Sequence, residues 1–183
     1  NYQSIYDAIT KLSKNKQTKN ENFHFQSELN RKIVLDDYYE NLKKNDIKNV
    51  SCDSMYKRFL NDYLPIVKNN KNIHFILYFP PYSILQFKLY KEKGWFREMA
   101  KFKEMIIPDL LKCKNVRLYD FQSDKSITMD LSQYMDISHH SQQTNRDIIN
   151  LISIDSCRLT QFNYKFKIND LVNQVNEYKI PMR

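Results

Sequence analysis

A chain of 183 residues with 42% hydrophobic content is about one domain's worth of sequence, with enough apolar side chains for a core. Its single glycine, Gly94, excludes Walker-type and Rossmann-type nucleotide loops, which need several glycines where backbone closely approaches a phosphate. The formal charge of +8 comes from 29 Lys and Arg against 21 Asp and Glu. The lysines are interleaved with asparagine ("KLSKNKQTKNEN", "VKNNKN") and form no compact arginine stripe, so nucleic acid is not the expected partner.

Residues 1–70 read as a mostly helical segment. In "YQSIYDAITKLSKN", Ile5, Ala8, Ile9 and Leu12 share one helical face. The polar stretch 13–28 lacks periodicity and reads as a loop. "RKIVLDDYYENLKKN" and "SMYKRFLNDYLPIVKNN" predict two further helices. The second has Asp53 or Ser54 as its cap and Pro65 bending or ending its first part. At residue 72 the character changes: "NIHFILYFPPYS" is an apolar, aromatic run stopped by Pro80 and Pro81, which predicts a buried strand. "ILQFKLYKEKGWFREMAKFKEMIIPDLLKCK" is helical in pattern, with breaks expected near Gly94 and at Pro108. "NVRLYDFQ", residues 115–122, predicts a second strand. "TNRDIINLISI" predicts a helix capped by Thr144 with Asp147 three residues on. "KINDLVNQVNEY" closes the chain, with Ile168, Leu171, Val172, Val175 and Tyr178 on one stripe.

From residue 71 on, the order of strand, helices, strand and helix predicts an α/β domain with parallel strands. Ligands in such sheets sit beyond the carboxyl ends of the strands. Both "FPPYS" and "DISHHS" follow predicted strand ends, so the two stretches are expected at one edge of the sheet. Two strands are few for such a sheet, which points to a missing upstream segment or a partner chain that completes it. The first residue is asparagine, not methionine, which likewise suggests a piece of a longer or processed chain. Cys52, Cys113 and Cys157 are an odd number without CxxC spacing, and suggest thiols rather than disulfides or zinc ligands. His24 and His74 are isolated, and "SHH" alone has no metal-ligand spacing; no metal is expected.

Asp136 precedes His139 by three residues. In a turn, such an aspartate can accept the imidazole Nδ1–H, fix the tautomer and aim Nε2 outward as a general base. The plainer alternative is a pair of solvated loop residues near a helix start. Ser51, Ser54 and Ser83 lack the small neighbours of a strained nucleophile elbow. Ser83, beside two prolines, reads more simply as a helix cap or turn residue.

The run from "NIHFILYFPP" through "NVRLYDF" to "DISHHS…NRDIINLI" resembles the C-terminal half of SGNH/GDSL-type hydrolases. It is most similar to the branch linked to polysaccharide O-acetylation, the alginate-acetylation and DltD-like proteins. The resemblance covers roughly residues 70–155. It implies a partial SGNH-like three-layer α/β fold over residues 71–183, preceded by the helical segment 1–70. It makes Asp136 the orienting carboxylate and His139 the base, with Tyr82, Ser83 and His140 on the substrate side. The implied chemistry is ester hydrolysis or O-acyl transfer at carbohydrate hydroxyls, without a cofactor, in the bacterial cell envelope. The family's GDS-like nucleophile block and its oxyanion-hole glycine have no counterpart here, so the serine would come from upstream. The alternative is a non-catalytic module that holds a glycan or a protein partner in the envelope.

Overall fold

The computed structural model describes residues 23–44 and 51–181. The helix expected over residues 2–15 lies outside the described residues. The chain is a mixed α/β protein, mostly helical, built on a two-stranded parallel sheet.

Helix α1 spans Phe23–Lys43, so residues 23–28, read as loop from their polarity, start a helix instead. Their helical state has no apolar stripe to announce it; the anchor comes later, where Val34 and Tyr38, one turn apart, are buried. Helix α2, Cys52–Arg58, is capped by Ser51, whose side chain accepts from the Ser54 N–H, and not by Asp53 or Ser54. A π-helical turn, Phe59–Tyr63, then leads into α3, Leu64–Asn69. Pro65 has no N–H to continue the ladder, and the turn just before it is the wider one, closed by Leu64 N–H to Phe59 C=O.

Strand β1 is Phe75–Phe79 and β2 is Val116–Asp120, in parallel register with Phe75 opposite Val116 and Phe79 opposite Asp120. Between them lie α4, Ile84–Glu92, and α5, Phe96–Leu111. The break between these helices falls at Gly94, as expected. Its φ of +76° suits glycine, and Gly94 N–H to Lys91 C=O (3.0 Å) with Trp95 N–H to Tyr90 C=O (2.8 Å) completes a Schellman stop. Pro108 does not break α5. One backbone bond is lost there, but Ile106, Ile107 and Leu110 are buried around it and hold the last turn in place.

After β2 come a short helix α6, Lys125–Thr128, a 3₁₀ turn Leu131–Gln133, then α7, Gln142–Ser153, and α8, Tyr164–Glu177. Of the stripe predicted for the last helix, Ile168, Leu171 and Val175 are buried. Helices pack against both faces of the sheet at β2. Leu118 packs with Ile106, Leu110 and Ile168 on one side, and Tyr119 packs with Ile148 on the other. Helix α1 joins the same body, because Val34 and Tyr38 share a core with Leu131, Ile137 and Leu171.

The two edges of the sheet differ. Outside β2, Asp120 N–H donates to Cys157 C=O (3.0 Å) and Leu159 N–H to Leu118 C=O (2.7 Å), so segment 157–159 covers that edge. Outside β1, no described residue pairs with the backbone. Phe75 N–H to Asn115 C=O and Phe121 N–H to Phe79 C=O turn residues 75, 77 and 79 toward β2, and Ile76 and Tyr78 away from it. Ile76 and Tyr78 are 42% and 45% exposed. The strand is therefore half-exposed, where its apolar run predicted full burial. No described helix is long and apolar enough to cross a membrane.

Candidate active site

The segment Tyr134–His140 closes on itself. Tyr134 and His140 form an antiparallel bridge, and Met135 N–H donates to His139 C=O at 2.8 Å. Within this loop Asp136 makes an Asx turn. Its Oδ1 accepts the N–H groups of Ser138 and His139, each at 2.7 Å, and the Ser138 hydroxyl at 3.1 Å. Its other oxygen, Oδ2, lies 2.6 Å from His139 Nδ1. The spacing of three residues thus produces the predicted contact, because the turn brings residue 139 back over residue 136.

Burial raises the Asp136 carboxyl, but the hydrogen bonds from His139 and Ser138 outweigh it and hold Asp136 below its ordinary range. An ionised Asp136 can only accept, so in the neutral ring Nδ1 carries the proton and Nε2 is left with the lone pair. The His139 side chain is 72% exposed, and no described residue is bonded to Nε2. The arrangement is an imidazole held at Nδ1, with its side chain largely open to solvent.

The "FPPYS" stretch does reach this loop. Ser83 donates from its hydroxyl (2.7 Å) and its N–H (3.2 Å) to the Ile137 carbonyl. Both stretches therefore meet beyond the carboxyl ends of the strands. Ser83 itself is fully buried and caps α4 by accepting the Gln86 N–H, so it braces the loop and does not face a substrate. Tyr82 is half-buried, with its ring 5.9 Å from Phe87 and 6.5 Å from Tyr90, and packs against the core. His140 Nε2 is 2.9 Å from Asn145 Oδ1 and its ring meets Tyr134 edge-on, so it turns away from His139 toward the start of α7. That helix is capped by Ser141, which accepts the Thr144 N–H. Thr144, expected as the cap, is buried in the first turn, because its hydroxyl meets Gln133 and Ser141.

One constellation escaped the sequence. Lys103 on α5 is 2% exposed, and its Nζ donates to Asp120 Oδ2 (2.8 Å) and Gln122 Oε1 (3.0 Å) and lies 4.4 Å from the centre of the Phe79 ring. Gln122 Nε2 then donates to Pro80 C=O at 3.2 Å. Burial pushes the Lys103 ammonium below its ordinary range, and Asp120 works against that fall. The network ties the ends of both strands to α5 just behind the Pro80–Ser83 turn. Its readable signal was a lysine at a core position of an apolar stripe, between Met99 and Ile106, Ile107 and Leu110.

Among the described residues there is no cluster of three His, Cys, Asp or Glu side chains able to hold a metal, and Cys52, Cys113 and Cys157 are free thiols. An open apolar groove of about 560 Å³ lies elsewhere, between α2, α3 and β1, lined by Phe59, Tyr63, Ile66, Phe75 and Leu77 with Arg58. No residue of the Tyr134–His140 loop lines it. Compared with known family models, curated proteins and solved structures, the chain matches none.

Proposed function

We propose that this chain supplies the Asp-His half of a Ser-His-Asp site in an SGNH-like ester hydrolase or O-acyltransferase acting on carbohydrate hydroxyls. The observation that supports this reading is the 2.6 Å contact between His139 Nδ1 and Asp136 Oδ2, with Nε2 open to solvent. In the scheme, a serine hydroxyl from outside the described residues attacks the acyl carbonyl while Nε2 takes its proton. Asp136 steadies the positive charge that forms on the ring. The proton then passes to the departing oxygen, leaving an acyl-serine. Water or a sugar hydroxyl attacks that ester, again giving its proton to Nε2, which returns it to the serine. The scheme calls for no metal or organic cofactor.

The partners of this reading are an acyl-ester or carbohydrate substrate and a polypeptide segment, upstream or from another chain, that extends the sheet at β1. Its setting is the bacterial cell envelope. A second reading, a non-catalytic glycan- or protein-binding module, draws its support from the apolar groove, which lies apart from the loop.

Activity on an aryl acetate and on an O-acetylated polysaccharide, measured with protein purified from its source, separates the two. His139→Ala is expected to lower turnover by about 10²–10⁴-fold, the usual contribution of a general base. Protein with no turnover, unchanged by His139→Ala, would leave the binding module.

A further inference from the structure

Ile137 sits between the acid and the base, and its backbone is held from two sides. Its N–H donates to Asp37 Oδ2 on α1 at 3.1 Å. Its C=O accepts the Ser83 hydroxyl at 2.7 Å and the Ser83 N–H at 3.2 Å. Its side chain, 4% exposed, packs into the core with Val34, Tyr38 and Leu131. The peptide that carries the Ile137 C=O also carries the Ser138 N–H, and the next peptide carries the His139 N–H; both N–H groups converge on Asp136 Oδ1.

We propose that Asp37 and Ser83 are positioning residues for the Asp136–His139 pair, clamping the Ile137 backbone so that the turn keeps Asp136 aimed at His139 Nδ1. Helix α1 is then part of the site and not an appended segment. Two more contacts seat it on the same stretch of chain: Asn30 Nδ2 donates to Ser132 C=O at 3.2 Å, and Arg31 lies 3.7 Å from Asp130. Asp37 is itself steadied by Asn41, whose Nδ2 donates to its Oδ1 at 2.6 Å. The inference rests on reading Asp136 and His139 as a proton-handling pair.

The test follows the Asp136 carboxyl carbon through an acid titration by NMR, in the full chain. Wild type is expected to titrate below the ordinary 3.8, and Asp37→Leu and Ser83→Ala to move the midpoint up toward or past 3.8 as the turn loosens. Asp37→Asn keeps an oxygen for the Ile137 N–H and is expected to stay near wild type. Ser83→Ala carries the test if Asp37→Leu does not fold. Ile168→Ala, in the separate core under β2 and apart from Ile137, is the control for stability alone. The inference is overturned if Asp37→Leu and Ser83→Ala leave the midpoint in place, if Ile168→Ala moves it as far, or if wild type already titrates at 3.8 or above. Because the titration needs no turnover, it fails separately from the ester chemistry, which the His139→Ala assay addresses.

Discussion

Among the described residues, Lys103 and Asp120 form the ion pair in which both side chains are buried, 3% and 0% exposed. Removing two charges from water is costly, and the pair is tolerable because Gln122 and the Phe79 ring complete the shell around the ammonium. Taking away one partner strands the other. Lys103→Met is therefore expected to lower stability by about 3–5 kcal/mol, and the double change with Asp120→Leu to recover most of it. Urea unfolding of the three proteins checks this; a single variant as stable as wild type would mean the pair contributes nothing. At this scale the Asp136–His139 contact was legible in the sequence, since an aspartate three residues from a histidine in a short polar turn can close on it. The roles of Ser83 and Asp37 were not, because they depend on Ile137 meeting residues 54 and 100 positions away.

Elements with a strong apolar period were readable and those without one were misplaced. The stripe of Ile168, Leu171 and Val175 marks α8, whereas the first turns of α1 carry no such stripe and read as loop. Helix starts slipped by a few residues for a physical reason. Several Ser, Asp and Thr side chains near each start could cap it, and only the tertiary packing chooses Ser51 and Ser141. Strand β1 is the element whose surroundings are least finished. It has no lysine, proline or bulge within it to discourage pairing, and its outer backbone faces away from β2. Amide exchange should show it: the Ile76 and Tyr78 N–H groups are expected to exchange much faster than those of Leu77 and Phe79. Equal protection along the strand would mean that another segment already covers this edge.

Across the whole molecule, the order of strands and helices predicted an α/β body with both candidate stretches at one sheet edge, and the Ser83–Ile137 bonds join those stretches. Charge had less to say. Most described lysines lie at or near the surface, while Lys103 and Lys88 are buried and bonded within the core. The chain's proposed chemistry depends on a single local property, the placement of one proton on His139. That property can be read directly from the ring ¹⁵N shifts of His139 at about pH 9, where an ordinary histidine is neutral. Asp136 accepting from Nδ1 requires the Nδ1–H tautomer with a bare Nε2, and this is the form expected in wild type, lost in Asp136→Ala. A ring that carries its proton on Nε2 in wild type would show that Asp136 does not orient His139 as a base.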